Sequence, residues 1–317
     1  MDRRFMSARK VEFGILALMV LISHHAIQTF GAGQVVGYWG QEGDDKTEGS
    51  LAALCASGNY GIVIIAYLSK FGRNQSPVLD LGGHCDAPTG ACQRYASEIA
   101  TCQKRGIRVL LSLGGEVGGY GFDTADEARL LAQDIWDNYM GGSSSNSPLG
   151  EVNLDGLDLR IFSGGHRFYA DLGGRLREIA QDNQYKYLYF GVSPQCPCPD
   201  PSLGPDSAGK FMETNLVDLV FVQFYNNPGC DIRGGIDDLV RSWSNWITRI
   251  TASKPAFYIS LPASPSAGEG FIDTKTLKDS VVPSIKTIGN YSGVALWAPS
   301  TDRLREVKGE IVLAHPE

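Results

Sequence analysis

Eight short apolar runs recur along the chain, and most of them are continuously apolar instead of alternating with polar residues. A Gly-rich or polar turn and then a stretch of helical character follow each run. Unbroken apolar runs are typical of parallel strands that are buried on both faces. The predicted strands are residues 35–39, 61–68, 108–113, 152–159, 187–192, 216–224, 256–261 and 293–297.

Helical spacing is clearest in four segments between these strands, at residues 124–140, 168–181, 236–250 and 273–288. Thr124 is a favourable N-cap, and acidic residues in the next turn suit the positive end of a helix dipole. Repeated strand–helix units over about 285 residues predict an α/β fold with a single (β/α)8 TIM barrel. The alternative, an open sheet that binds a nucleotide, would carry G-x-G-x-x-G after its first strand, and residues 37–40 do not match it.

The first 32 residues have the pattern of a secretory signal peptide, which leaves residues 33–317 for the barrel domain. Basic residues precede an apolar run at 14–22, and small residues at 31–33 offer a cleavage site. A membrane anchor is the alternative, but this run is shorter than the roughly 18 to 20 residues that a span needs. We therefore expect a secreted protein, extracellular or vacuolar, without a membrane partner.

The composition of the chain limits the classes of molecule that it can bind. The 317 residues are 43% hydrophobic and 20% charged, as in an ordinary globular chain. A net charge of −7 argues against a nucleic-acid partner, which would require a basic surface. The sequence predicts a monomer with no cofactor and no metal site.

Secretion makes the seven cysteines candidates for disulfides, although spacing alone does not give their connectivity. Because their number is odd, one cysteine remains outside the bridges. Asn74 and Asn290 each begin an N-x-S sequon, which is physically possible as a glycosylation site in a secreted chain.

In a barrel of this type the chemistry lies at the carboxyl ends of the strands. Aromatic rings and amides alternate there, which suits a sugar, because its C–H faces stack on rings while its hydroxyls need donors and acceptors. A carbohydrate groove is therefore the first hypothesis. The strand-end residues are Tyr38, Trp39, Gln41, 112–116, 158–162, Gln223, Tyr225, Asn226 and Trp297.

Several of these stretches together resemble the plant class III chitinases of glycoside hydrolase family 18, of the hevamine type, over nearly the whole mature length. The matching stretches are residues 38–41, 70–72, 82–85, 111–115, 154–158, 194–196, 222–228 and 296–297. The resemblance implies the barrel, secretion and a groove for N-acetylglucosamine polymers. The glycan-binding residues that it implies are Tyr38, Gln41, Asp158, Gln223, Tyr225, Asn226 and Trp297.

The resemblance also implies a disulfide pattern. It pairs Cys55 with Cys102, Cys85 with Cys92, and Cys196 with Cys230. Cys198 then lies outside the bridges, and we interpret it as a small buried hydrophobic residue rather than a redox group.

The family's fourth-strand signature, D-G-x-D-x-D-x-E, is incomplete here. Asp155, Gly156 and Asp158 match it, but Arg160 replaces the third aspartate and Phe162 replaces the glutamate. The resemblance implies that the glutamate protonates the leaving oxygen while the aspartate holds the substrate's acetamido group for attack. Neither replacement can act as the acid, and loss of general-acid assistance costs about 10² to 10⁴ in rate. No residue is therefore assigned as catalytic.

From these replacements we expect a catalytically inactive chitinase-like protein that binds a chito-oligosaccharide or a related glycan, or that serves in storage, in defence or as an inhibitor of a partner glycosidase. An active endochitinase that cleaves β-1,4-linked N-acetylglucosamine polymers is the alternative. Glu116 should also face the top of the barrel, and we expect it to pair with Arg160, because an unpaired buried arginine is costly. In the alternatives, both side chains point to solvent or Glu116 takes over as the acid.

Overall fold

A computed structural model describes residues 34–142, 144–204, 210–250 and 253–298. The predicted signal peptide lies outside these ranges, so its prediction stays open. Nine strands are found within them: β1 (Gln34–Trp39), β2 (Ile62–Gly72), β3 (Gln75–Leu79), β4 (Arg108–Gly115), β5 (Gly156–Ile161), β6 (Tyr189–Val192), β7 (Leu219–Gln223), β8 (Ala256–Pro262) and β9 (Tyr291–Trp297).

Eight of the described strands form a closed parallel barrel. Strand β1 pairs in parallel with both β2 and β9, which closes the sheet, and the other parallel strands follow in chain order. Strand β3 is extra, because it pairs antiparallel with the end of β2 as a hairpin outside the barrel order. The predicted TIM barrel is therefore confirmed.

Helices surround this barrel. The described ones are α1 (Leu51–Ala56), α2 (Tyr95–Lys104), α3 (Ala125–Ile135), α4 (Tyr169–Asp182), α5 (Ile236–Arg249), α6 (Thr274–Thr276) and α7 (Val282–Lys286). Short 3-10 turns lie at Ala87–Thr89, Ala91–Arg94, Phe211–Glu213 and Ile232–Gly234, and π turns continue α3 at Trp136–Met140 and join α6 to α7 at Leu277–Val281. The four predicted helices are present, and Thr124 caps α3 by accepting from the Glu127 amide.

Alternation along each strand separates two apolar layers. On β1, for example, Val36 and Tyr38 belong to a cluster inside the barrel, whereas Val35 and Trp39 pack in the outer layer between the sheet and the helices. Successive side chains of a strand point to opposite faces, so residues of one parity line the interior of the barrel. This parity decides which side chains can meet at the top of the barrel.

Three disulfides fasten the segments outside the barrel. They join Cys55 to Cys102, Cys85 to Cys92 and Cys196 to Cys230, as the resemblance implied. Cys198 lies outside them and is half-buried. Within the described ranges, no helix combines the length and the apolar character that crossing a bilayer requires.

Candidate active site

Strand β5 sends one set of side chains into the barrel. Leu157, Leu159 and Ile161 pack in the outer layer, so Asp158 and Arg160 have the opposite parity and point inward. Phe162 continues this parity directly after the strand ends. The incomplete signature therefore occupies the axis of the barrel, from Asp158 below to Phe162 at the mouth.

Asp158 is the lowest of the three, and it is fully buried. Its carboxylate accepts hydrogen bonds from Ser112 Oγ and Ser193 Oγ, each at 2.6 Å, and from Tyr38 Oη at 3.4 Å. Burial raises the pKa of Asp158, while the hydroxyl donors and Arg160 act against that shift. These hydrogen bonds connect Asp158 to β1, to β4 and to the end of β6, so its carboxylate braces the interior of the barrel.

Arg160 lies above Asp158 and has no exposed surface. Four aromatic rings enclose its guanidinium, and we call this enclosure the arginine box: the guanidinium carbon is 4.3 Å from the ring centre of Trp297, 4.9 Å from Phe162, 5.3 Å from Tyr38 and 6.0 Å from Tyr67. Cation–π contacts of this kind stabilise a desolvated cation. They cover the faces of the guanidinium but do not satisfy the N–H groups at its edges.

The hydrogen bonds of Arg160 are incomplete. Its Nη2 donates to Tyr225 Oη at 2.8 Å, whereas Nε and Nη1 have no acceptor among the described residues. Burial raises the pKa of Tyr225, although the nearby Arg160 acts in the opposite direction, so the phenol remains a neutral acceptor. Arg160 is therefore a buried cation with a single hydroxyl partner.

The predicted ion pair between Glu116 and Arg160 is wrong for this structure. Arg160 makes no salt bridge with a described carboxylate, and Glu116 is exposed. A hydrated carboxylate would lose its water by entering the arginine box, and the Coulomb attraction to Arg160 has to exceed that cost. The aromatic rings already occupy the space around the guanidinium.

A pocket of about 250 Å³ opens at the mouth of the barrel beside Phe162. Its lining residues are Glu116, Phe162, Gln195, Gln223, Tyr225, Asn226 and Asn227. Glu116 is the one carboxylate among these described residues. The register pairs Gly115 with Ile161, the last residues of two neighbouring strands, and Glu116 and Phe162 are the next residue after each strand.

The predicted glycan-binding residues divide into two groups around Arg160. Gln223, Tyr225 and Asn226 line the pocket. Tyr38, Gln41 and Trp297 do not line it; they line a separate narrow crevice on the other side of the arginine box.

Gln41 is also occupied by protein contacts. Its Nε2 donates to the backbone carbonyls of Ala66, at 2.9 Å, and Asp80, at 3.1 Å. Asp158 lies deeper, below the box, so the pocket brings together three of the seven residues.

Two pocket residues were not assigned from the sequence. Gln195 follows β6, and Asn227 follows Asn226; both lie in stretches that carry the family resemblance. Inward parity would have identified Gln195, because Gly191 and Ser193 precede it at alternate positions. No three His, Cys, Asp or Glu side chains converge to form a metal site in the part of the chain that the structure describes.

Comparison with known proteins agrees with this architecture. Residues 34–261 match the family model of glycosyl hydrolases family 18. The acidic endochitinase SE2 of Beta vulgaris is 44% identical over 289 residues, which cover 91% of this chain and 94% of the relative.

Two solved structures are similar as well. A chitinase from Ipomoea carnea has a TM-score of 0.80 at 37% identity, covering 88% of this chain and 100% of its own. A xylanase-A-amylase inhibitor protein has a TM-score of 0.78 at 33% identity, covering 88% of this chain and 99% of its own.

These relatives correct the functional expectation. The sequence argument favoured an inactive binding, storage or inhibitor protein, with an active endochitinase as the alternative. Three further curated relatives, 42%, 42% and 39% identical, are also named acidic endochitinase. Their names contradict the first interpretation and favour the alternative. The sequence argument gave the two replaced positions more weight than the overall similarity to the endochitinases.

Proposed function

The chain belongs to glycosyl hydrolases family 18, and we propose that it is an endochitinase that cleaves β-1,4-linked N-acetylglucosamine polymers in the pocket beside Phe162. The observation that carries this proposal is a pocket at the carboxyl ends of the barrel strands, where a carboxylate, four amide side chains and two aromatic rings meet. The names of the curated relatives support the same substrate class.

Glu116 is the proposed general acid. It lines the pocket directly after β4, the strand next to β5, and the pocket is shared with the replaced position 162. Its carboxyl proton passes to the glycosidic oxygen as the C1–O bond breaks, and the acetamido oxygen of the substrate forms a bond to C1. Water then opens that ring, and its proton returns to Glu116. The general acid in this proposal therefore follows β4 instead of β5, while the nucleophile is the acetamido oxygen of the substrate.

We expect this chemistry to be slow. The substrate's acetamido group has no carboxylate at position 160 to hold it, and the buried cation of Arg160 opposes the positive charge that develops at C1. Restoring both carboxylates in the double variant Arg160→Asp, Phe162→Glu should raise the turnover number about 10² to 10⁴ fold, the contribution of a positioned acid.

Turnover of a chitin hexamer tests the assignment. The purified protein should release shorter oligomers, and Glu116→Gln should lower the turnover number about 10² fold, because the amide keeps the shape but carries no transferable proton. Glu151→Gln is the matched control, since Glu151 is exposed and precedes β5 at the opposite end of the barrel. That control should retain wild-type turnover.

Two results would contradict the proposal. If the wild-type protein releases no oligomers while the double variant does, the fold binds the substrate but the chain is not a hydrolase. If Glu116→Gln and Glu151→Gln cleave equally fast, the hydrolase stands but Glu116 is not its acid.

Three further expectations accompany the proposal. Secretion to the extracellular space or the vacuole requires removal of residues 1–32, which amino-terminal sequencing of the mature protein tests.

The protein is expected to be a monomer, and light scattering measures its mass in solution. A glycosidase as protein partner has support only from the name of the similar inhibitor structure, and co-purification with a xylanase tests it.

A further inference from the structure

The arginine box holds a positive charge that makes no salt bridge with a described carboxylate; the buried Asp158 acts on it from below, but its carboxylate accepts from Ser112 and Ser193. Arg160 has no exposed surface, one hydrogen-bond partner, and two nitrogens without an acceptor among the described residues. Burying an unpaired charge is costly, so native proteins normally pair such groups with counter-charges or ligands. The cation–π contacts offset part of this cost, but the N–H edges remain unsatisfied.

A single layer of side chains lies between the Arg160 guanidinium and the pocket. Phe162 and Tyr225 both contact the guanidinium, and both line the pocket. Phe162 is half-buried and follows the end of β5, so its ring can change rotamer without disturbing a strand. Moving that ring would uncover one side of the guanidinium to the pocket.

The chemistry of the pocket indicates which ligand fits. The amide side chains of Gln195 and Asn227 suit sugar hydroxyls, and a guanidinium is the side chain best suited to bind a carboxylate. Glu116 repels a negative charge whenever it is ionised, so an acidic group gains a favourable charge contact in this pocket only from Arg160.

We propose that Arg160 is a binding residue for the carboxylate of an acidic sugar, a uronate in a glycan that also contains N-acetylglucosamine, and that Phe162 is the gate through which this carboxylate reaches it. The inference rests on the proposed use of the pocket as a glycan site and adds a charge preference to it.

Calorimetric titration with two tetrasaccharides tests this preference. One probe is a hyaluronan tetrasaccharide, which alternates glucuronate with N-acetylglucosamine, and the other is the neutral N-acetylglucosamine tetramer. The acidic probe should bind about tenfold more tightly at low salt, as expected for one charge-assisted contact, and this advantage should shrink as salt is added. Equal affinities in the wild-type protein would overturn the proposal without any variant.

Variants locate the effect. Arg160→Met keeps the length of the side chain but removes the charge, so the preference should disappear, while Arg241→Met, the same change at an exposed arginine, should keep it. Phe162→Ala should strengthen binding of the acidic probe by opening the gate. A preference that persists in Arg160→Met would overturn the assignment.

Free acetate separates sugar recognition from simple anion binding. Acetate that binds as tightly as the acidic tetrasaccharide would overturn the inference, because Arg160 would then hold any small carboxylate. Hydrolysis of the chitin hexamer without an acid preference would leave the proposed function standing and reject this inference. Acid-selective binding without hydrolysis would support this inference and reject the proposed function. If neither probe binds, both the proposed function and this inference are rejected.

Discussion

Two buried cationic groups lie near the top of this barrel, and their surroundings differ in one respect. The first is Arg160 in the arginine box. The second is His84, which is 6% exposed and packs its ring 4.3 Å from that of Trp39. Both groups contact a tryptophan, but among the described residues only His84 makes salt bridges with carboxylates.

The His84 cluster is satisfied by the protein itself. His84 Nδ1 lies 2.7 Å from Asp45 Oδ1, and Nε2 lies 2.8 Å from Glu48 Oε2. Arg94 Nη2 donates to Asp45 Oδ2 at 2.8 Å and thereby adds a second positive charge. Two cations and two carboxylates therefore balance when His84 is protonated.

This balance has a structural purpose. The carboxylate of Glu48 also accepts from the backbone amides of Gly40, at 3.0 Å, and Glu42, at 2.9 Å, so the cluster ties down the loop that follows β1. The comparison shows that a buried charge in this fold can be fully paired when it supports a loop. Arg160 has no such pairing, which is why we assign it to a ligand and not to the fold.

The largest expected effect comes from breaking the paired region. Glu48→Gln should destabilise the protein by about 3 to 5 kcal/mol, because it leaves the buried His84 with only Asp45, which Arg94 shares, and weakens two backbone contacts. Urea unfolding measures the change. Glu151→Gln, at an exposed glutamate, should stay within about 0.5 kcal/mol of the wild type. A loss below about 1 kcal/mol for Glu48→Gln would show that the two regions do not differ.

A smaller effect of opposite sign is expected in the arginine box. Arg160→Met should leave stability unchanged or raise it by up to about 2 kcal/mol, because an apolar side chain replaces a poorly paired buried cation. The same urea experiment, with Arg241→Met as the control, measures it. Destabilisation by more than about 1 kcal/mol would mean that the cation–π contacts outweigh the missing partners, and that Arg160 supports the fold after all.

The smallest expected effect is a pH dependence of the free energy of unfolding, which the His84 cluster should cause and the arginine box should not. Burial alone would lower the pKa of His84, but hydrogen bonds to Glu48 and Asp45 outweigh it, so the pKa is raised. Above about pH 6.5 the folded state then holds a proton that the unfolded chain has released, and the free energy of unfolding falls as pH rises through the raised pKa.

Unfolding measured across this pH window should show that fall for the wild-type protein and a flatter profile for His84→Asn. His166→Asn is the matched control and should keep the wild-type slope, since the partner of the His166 ring within the described ranges is the Ser202 hydroxyl and not a carboxylate. Asp45, Glu48, Arg94 and Tyr95 are the titratable groups that face His84, and Tyr95 donates to Asp45 Oδ1 at 3.0 Å. Equal slopes in all three proteins would mean that the cluster does not hold a proton.

The barrel could be predicted because its signal is repeated. Each parallel strand is buried on both faces, so each leaves an unbroken apolar run that can be recognised without its neighbours. The elements that were missed lack this signal. Strand β3 contains Gln75, Ser76 and Pro77 and depends on pairing with β2, while α1 spans only six residues, too few to show a helical period.

The ends of the elements were less predictable than their cores. The fourth apolar run predicts a strand from residue 152, but β5 begins at Gly156, because Asp155 instead uses its carboxylate to accept from the Val109 amide and to bind Lys186. Helix α2 was missed because only Tyr95, Ile99 and Cys102 of its residues are buried, which leaves its pattern mostly polar.

The sequence by itself determined the barrel, the family and the replacement of two signature carboxylates by Arg160 and Phe162, because these follow from residue types and local spacing. Only the tertiary structure decided that Arg160 makes no salt bridge with a described carboxylate, that Glu116 lies in the pocket beside Phe162, and that Gln41 and Trp297 lie outside this pocket. The physical reason is that hydrogen bonds and desolvation depend on which residues of neighbouring strands lie side by side. This register cannot be predicted from the sequence of any one segment.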